Sequence, residues 1–234
     1  MRLQIFVEDE LAEAYEHLAL RVLGPPAPGN RSIVRASRVD LEAMRSFEGL
    51  LRLTLRVRKG GFNNILFVMD QEGPDTQERP AKLMDFQLAF QKLCDHLARQ
   101  KPGQPLYQVK AARIVCQRCL EGWLAADLQA AVDAVRGRHG VDYHPASQRT
   151  DNVFPHQASE KIAQVIRETG RRLGRQDLQK VSTRVAKSLG SSIAEHVDPN
   201  RARSYNRSLD YFYTIIQGDR NGCDHPFPDG PIEP

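Results

Sequence analysis

The chain has 234 residues, of which 41% are hydrophobic and 26% charged, and its formal net charge is +4. This composition is ordinary for a globular protein with a substantial core. Its four unevenly spaced cysteines exclude a disulfide framework, and no segment approaches the roughly 18 apolar residues of a membrane helix. The N-terminal apolar run is too short for a signal peptide, so we expect a cytoplasmic protein with reduced thiols and no membrane partner.

Short apolar runs alternate with helical patterns over the first part of the chain. The runs predict strands at residues 2–7, 31–38, 64–69 and 105–115. Helical spacing of apolar residues predicts helices at 9–23, from 40 to about 59, from about 79 to 99, and around Trp123. Because the strands are apolar along their length and helices separate them, we predict an α/β fold with a mostly parallel sheet flanked by helices.

The second part of the chain carries helical signals only. Residues 138–156 are loop-like, and helices are predicted at 157–171, 175–189 and 204–217. The last residues are rich in Gly and Pro. We therefore expect an α/β core at 1–137, a helical C-terminal part at 138–217 packed on that core, and an extended or mobile tail at 218–234.

Three carboxylates follow two of the predicted strands. Glu8 ends the first strand, Asp70 ends the strand at 64–69, and Glu72 lies two residues further on. In an open α/β sheet the functional crevice lies beyond the carboxyl ends of the strands, so these acids can converge. Their repulsion would be relieved by a divalent cation, and oxygen ligands suit Mg²⁺ or Mn²⁺. The alternative is that each acid merely begins a loop or caps a helix.

Three segments carry a resemblance to a known family. IFVEDE, LFVMDQEG and CLEGWLAAD, in that order, resemble the Toprim fold of topoisomerases, primases and overcoming-lysogenization-defect nucleases. The similarity is greatest to small bacterial Toprim-like proteins of uncharacterised function, and it extends from about residue 2 to residue 217. It includes the later ASEKIAQVIRE and HVDPNRARSYNRSLDYF segments. The resemblance implies a Toprim-like parallel sheet.

The resemblance also assigns residues. Glu8 matches the glutamate after the first Toprim strand, and Asp70-Gln71-Glu72 matches the Asp-x-Asp pair in the form Asp-x-Glu. Glu121 matches a glutamate that precedes a Trp-containing helix in the small bacterial relatives. Asp9 departs from the family, which usually has glycine there, and Glu72 is longer than the usual aspartate by one methylene. Both departures concern activity more than fold.

The activity implied by this resemblance is Mg²⁺-dependent hydrolysis of phosphodiester bonds in DNA or RNA, with tRNA as one possible substrate. Glu8, Asp70 and Glu72 would bind the metal ion, and Glu8 or Glu121 would accept a proton from the attacking water. Some relatives act beside ATPases in defence against phage, which implies an ATPase partner, since this sequence contains no P-loop. The resemblance leaves a homodimer open. The alternatives are a catalytically weak binding or sensing subunit and a primase-like nucleotidyl transferase.

Basic residues in two regions are candidates for binding phosphate. Lys161 begins a predicted helix, and Arg201, Arg203 and Arg207 cluster near the C-terminal helix. They would hold the scissile phosphate, or they would pair with the protein's own acids. A further stripe of arginines has the spacing to follow a nucleic-acid backbone or to form a solvated helix face; it comprises Arg45, Arg52 and Arg56.

Two other features have an ordinary structural explanation beside a functional one. Cys116 and Cys119 have zinc-knuckle spacing, but His139 and His144 are the only nearby candidates for a second ligand pair. Two small apolar residues at a strand–helix junction are the alternative. Trp123 is expected in the core, and Glu121 either stabilises the start of its helix or lies near the metal ion.

Overall fold

In the computed structural model, residues 1–24, 32–71, 79–116 and 119–218 are described. Within those ranges a four-stranded sheet has the order β2-β1-β3-β4, and every neighbouring pair is parallel. The strands are β1 (Arg2–Val7), β2 (Ile33–Arg38), β3 (Asn64–Asp70) and β4 (Lys110–Cys116). The predicted α/β class with a parallel sheet flanked by helices is therefore confirmed.

Twelve helices are present in the described part of the chain. The first six are α1 (Ala12–Leu23), α2 (Leu41–Met44), α3 (Phe47–Lys59), α4 (Arg79–Ala98), α5 (Leu120–Ala125) and α6 (Leu128–Arg136). The others are α7 (Pro155–Arg172), α8 (Gln176–Gln179), α9 (Thr183–Ser188), α10 (Gly190–Ala194), α11 (Pro199–Ala202) and α12 (Arg207–Gly218). None of these helices combines the length and apolar character needed to cross a bilayer.

The two faces of the sheet build two hydrophobic cores. Successive side chains of a strand point to opposite faces, so Ile5 packs in one core and Phe6 in the other. The core around Phe6 contains Phe67 and side chains of α3 and α4. The core around Ile5 contains α1 and the helices from α5 onward. Because β1 and β3 are covered on both sides, their apolar runs are nearly continuous.

The C-terminal helices complete the core on the Ile5 side of the sheet. The Trp123 ring, fully buried in α5, lies 5.0 Å from the Phe212 ring of α12 between centroids. Its indole Nε1 donates a hydrogen bond of 2.7 Å to Ser208 Oγ. Trp123 is therefore a core residue, as expected.

Two predicted helices are interrupted in the structure. The helix predicted from residue 40 to 59 ends at Met44, and α3 begins after Ser46, whose Oγ accepts a hydrogen bond from Gly49 N. A Cβ on Gly49 would lie 2.1 Å from Ala43 O, so this junction needs glycine. The helix predicted at 175–189 is similarly divided, with Ser182 capping α9. In both places a serine N-cap begins a new helix, which the apolar spacing did not indicate.

The other elements differ from the prediction mainly at their ends. β1 matches the predicted range, whereas β4 begins at Lys110, because turns occupy most of residues 102–108. The predicted loop at 138–156 ends at Phe154, one residue before α7. Residues 219–234, almost all of the predicted tail, lie outside the described residues.

Candidate functional site

Glu8 and Asp70 meet at the carboxyl ends of two neighbouring strands. β1 and β3 pair in parallel with Val7 opposite Val68, so the residue after β1 lies beside the end of β3. Glu8 Oε1 accepts a hydrogen bond of 2.8 Å from the backbone N–H of Asp70. The structure thus brings together two of the three acids that sequence analysis placed at one edge of the sheet. The third, Glu72, lies outside the described residues.

Asp70 is a buried carboxyl group in an acidic environment. Its Oδ1 accepts a hydrogen bond of 3.3 Å from the Tyr15 hydroxyl, itself fully buried. Burial raises the pKa of Asp70 well above its ordinary value, and the charges of Asp9, Glu8 and Glu121 raise it further. A cation would offset the free-energy cost of ionising Asp70 in this place.

Glu121 and Asp9 complete the group, called here the carboxylate cluster: Glu8, Asp9, Asp70 and Glu121. Glu121 lies in the first turn of α5, which follows β4, and it is 3% exposed. Asp9 Oδ1 accepts a hydrogen bond of 2.7 Å from Leu11 N. Burial raises the pKa of Asp9, and the nearby charge of Glu121 contributes to the increase.

Two lysines reach into the carboxylate cluster from opposite parts of the chain. Lys82 of α4 is 7% exposed, and its Nζ lies 2.8 Å from Glu8 Oε1 and 3.3 Å from the carbonyl oxygen of Asp70. Lys187 of α9 pairs with Glu121, with 2.9 Å between Nζ and Oε1, and this hydrogen bond raises the pKa of Lys187. Four carboxylates thus face two ammonium groups, which leaves a surplus of two negative charges when all are ionised.

The donors in the carboxylate cluster fit Mg²⁺ in kind and in charge. All of them are carboxylate oxygens, which hard divalent cations prefer, and one such ion would balance the surplus charge. The geometry is less complete. Among the described residues, no group of three or more His, Cys, Asp or Glu side chains is placed to hold a metal ion. Any coordination shell at Glu8 and Asp70 would need water or residues outside the described ranges.

Two of the predicted phosphate-binding arginines are engaged in ion pairs elsewhere. Arg201 Nε and Nη2 donate to the two carboxylate oxygens of the fully buried Asp127, at 2.6 and 2.9 Å. Arg203 Nε lies 2.7 Å from Asp210 Oδ1. At both positions the arginine thus pairs with one of the protein's own acids, which was the alternative to phosphate binding.

The remaining basic candidates lie in different surroundings. Arg207 has an exposed side chain at the start of α12, and its backbone N–H donates to Asp151 Oδ1. Lys161 lines a surface cavity on α7 that includes none of the carboxylate cluster. In the arginine stripe, Arg45 pairs with Asp85 at 2.5 Å, whereas Arg52 and Arg56 are exposed on α3.

The cysteine pair contributes to the wall of the site. Cys116 ends β4 and Cys119 precedes α5, and both are buried. Burial raises the pKa of both thiols, and the charges of Asp70 and Glu121 contribute. Zinc ligation needs thiolates, which this environment disfavours. The pair fits the interpretation as small apolar residues at a strand–helix junction.

Sequence reasoning missed four side chains of the site: Asp9, Tyr15, Lys82 and Lys187. Lys82 had a readable signal, because it shares the buried face of α4 with Phe86, Ala89 and Leu93, where a lysine is unusual. Asp9 was noted only as a departure from glycine. Lys187 is 66 residues from Glu121, and no spacing pattern connects the two.

The raised pKa of Asp70 predicts how stability depends on pH. In the folded protein the Asp70 carboxyl group stays protonated at pH values where the same group in the unfolded chain, with its ordinary pKa of 3.8, has lost its proton. Stability of the metal-free protein therefore falls as pH rises from about 4 towards 7. In D70N the free energy of unfolding should fall by at least about 1 kcal/mol less over the same pH range. Urea unfolding in EDTA measures this difference. E10Q is the control and should keep the wild-type slope; parallel curves for D70N and wild type would contradict the prediction.

The fold and the site together define an α/β protein with a fully parallel four-stranded sheet and an acidic cluster at its carboxyl edge. Comparison of the chain with protein-family models, with curated proteins and with solved structures finds no match. The function is therefore inferred from the residues of the site.

Proposed function

We propose that the protein is a Mg²⁺-dependent nuclease that hydrolyses phosphodiester bonds in DNA or RNA at the carboxylate cluster. The observation that carries this proposal is the convergence of Glu8 and Asp70 at neighbouring strand ends, inside a mostly buried group whose carboxyl groups outnumber its ammonium groups. An unbalanced acidic group costs folding free energy, and a bound divalent cation compensates for that cost.

The order of the motif segments gives further support. IFVEDE includes the end of β1, LFVMDQEG includes the end of β3, and CLEGWLAAD begins three residues after the end of β4. These three strands are adjacent in the sheet. Each segment therefore delivers an acid to one edge: Glu8, Asp70 and Glu121. This arrangement supports the Toprim-like interpretation, whose remaining acid, Glu72, lies outside the described residues.

The chain's own residues have separable roles in the proposed reaction. Glu8 and Asp70 would hold the ion, with Glu72 as the third proposed ligand. The ion would polarise the phosphate and lower the pKa of a bound water. Lys82 and the N–H of Asp70 both bind Glu8 Oε1 and so fix the orientation of that carboxylate. Lys187 holds Glu121 in place, and we assign Glu121 as the proton acceptor for the attacking water.

A second candidate is a catalytically weak binding or sensing subunit. The observation that favours it is that Lys82 and Lys187 already neutralise Glu8 and Glu121 without a metal ion. Asp9 in place of glycine points the same way. In this candidate the acidic cluster is a structural remnant, and the chain acts by docking to a partner.

A cleavage assay separates the two candidates. The purified chain is incubated with Mg²⁺ or Mn²⁺ and with tRNA, single-stranded DNA and duplex DNA. We expect metal-dependent cleavage of at least one substrate, reduced about 100-fold or more in E8Q and in D70N. E10Q makes the same chemical change at an exposed position two residues from Glu8 and should retain activity. Calorimetric titration with Mn²⁺ provides a readout independent of turnover. Absence of both cleavage and Mn²⁺ binding would favour the second candidate.

The cellular setting is proposed from the resemblance alone. A cytoplasmic effector in bacterial anti-phage defence, working with an ATPase partner, is the setting that the Toprim-like resemblance implies. Co-purification of the tagged chain from cells that express the neighbouring genes would test the ATPase partner. Light scattering of the purified chain would test the homodimer.

A further inference from the structure

A cavity of about 640 Å³ lies between α7 and the irregular segment that precedes it. We call it the basic groove and define it by six of its lining residues: Tyr143, His144, Lys161, Arg167, Arg171 and Arg172. Its α7 residues recur at spacings of three, four and seven, so they form one face of the helix. Its volume is within the range of about 300–1,000 Å³ that is typical of small-molecule sites.

The lining of the basic groove is rich in positive charge. It contains four cationic side chains, and Glu168 is the one carboxylate among its lining residues. Arg171 and Arg172 both pair with Glu168, each at 2.7 Å. Lys161 forms no ion pair within the described part of the chain. The side chain of Arg171 is 72% exposed, so it can turn towards a ligand at little cost.

Arg167 has a different role from the other cations. It pairs with Glu160 and donates a hydrogen bond of 2.9 Å to the carbonyl oxygen of Val181. Arg167 thus ties α7 to the chain just before α9, and it is part of the scaffold. Arg172 is also held, by Glu168 and by the carbonyl oxygen of Asp142, each at 2.7 Å. The side chains available for an anion are therefore Lys161 and Arg171.

The basic groove also has an apolar and aromatic wall. Leu128, Pro145 and Val165 line it beside the charged residues. The Tyr143 ring lies against the Arg172 guanidinium, 4.8 Å from the ring centroid, which holds both groups in place. The groove thus has a cationic side and an apolar side. It suits a ligand that combines an anionic group with a flat, largely apolar body.

We propose that the basic groove binds the phosphate of a nucleotide, with the base against its apolar wall. The nucleotide is either free or one unit of a nucleic-acid strand, and the phosphate chemistry is the same in both cases. The carboxylate cluster contributes no residue to the groove. The proposal is therefore independent of hydrolysis at that cluster and holds for either candidate function.

Binding measurements in EDTA test the groove without involving a metal-dependent reaction. ATP is titrated by calorimetry, and fluorescein-labelled twelve-nucleotide dT and rU strands are titrated by fluorescence anisotropy. The groove variant is K161Q/R171Q. The matched control is K92Q/R99Q, which removes one lysine and one arginine charge from exposed positions on α4 and just after it. Circular dichroism and the melting temperature verify that both variants are folded.

We expect the wild type to bind at least one probe and the groove variant to lose about tenfold or more in affinity. The control should remain within about twofold. Binding of ATP identifies a free nucleotide as the ligand, and binding of the strands alone identifies nucleic acid. The proposal is overturned if neither probe binds, if both variants lose affinity equally, or if only the control variant loses it.

Discussion

Replacing Lys82 by methionine should destabilise the metal-free protein by about 3 kcal/mol, because it leaves the Glu8 carboxylate without its ammonium partner in a mostly buried place. The two side chains are only 9% and 13% exposed and lie 2.8 Å apart. Methionine retains most of the apolar stem of lysine, so the change removes the charge with little loss of packing. The Asp70 N–H still binds Glu8 in the variant, which keeps the cost moderate.

A double-mutant cycle measures this interaction directly. Urea unfolding in EDTA is followed for wild type, K82M, E8Q and K82M/E8Q. We expect the double variant to be more stable than K82M, because the E8Q change removes the buried charge that Lys82 neutralises in the wild type. R45M is the matched control, since Arg45 and Asp85 form a pair with side chains 37% and 43% exposed. It should cost less than about 1 kcal/mol. A K82M cost no larger than that of R45M would contradict the prediction.

The same variant bears on the proposed metal site. Lys82 is a cation bound to one of the proposed ligands, so it competes with a divalent ion for Glu8. If Mg²⁺ binds there, it should stabilise K82M more than wild type, because the competing charge has been removed. Melting temperatures with and without Mg²⁺ give the comparison. Equal metal-induced shifts in both proteins would show that Lys82 and the ion do not compete.

The sequence predicted the central strands well and the short helices poorly, for physical reasons. β1 and β3 are buried on both faces, so their apolar runs are nearly continuous and easily recognised. β4 is an edge strand of mixed burial, and its beginning was placed five residues too early. The breaks near Ser46 and Ser182 depend on single caps, which apolar spacing does not register.

In the site, the strand order made the acidic residues predictable, whereas the basic residues depend on how the helices pack. Glu8 and Asp70 were predicted to meet because adjacent parallel strands end at the same edge of the sheet. Lys82 and Lys187 reach this edge through the packing of α4 and α9, which local sequence does not encode. The same holds for Arg201, whose partner Asp127 is 74 residues away. Arg201 and Arg203 lie in a segment that resembles the family, yet they pair with Asp127 and Asp210 and not with the carboxylate cluster.

Arg201 is the other position where a single substitution should have a large effect, and the effect should be on folding. R201M removes both Arg201 hydrogen bonds to Asp127, whose side chain is completely buried. Among the described residues, the Asp198 N–H is then the remaining donor to that carboxylate. We expect the free energy of unfolding, measured with urea, to fall by about 2–3 kcal/mol, which is at or below the low end of the usual cost of breaking a buried ion pair. The reason is that the Arg201 side chain is 37% exposed, so water can reach the vacated place.

The control for this prediction is R207M, which changes an exposed arginine at the start of α12. It should leave stability within about 0.5 kcal/mol of wild type. Nucleic-acid binding, measured well below the unfolding transition, should be the same for R201M and wild type, because the Arg201 guanidinium is committed to Asp127. If R201M instead keeps full stability and loses binding, the ion pair is dispensable for folding and Arg201 contacts phosphate. The two readouts therefore assign this arginine to the scaffold or to the ligand.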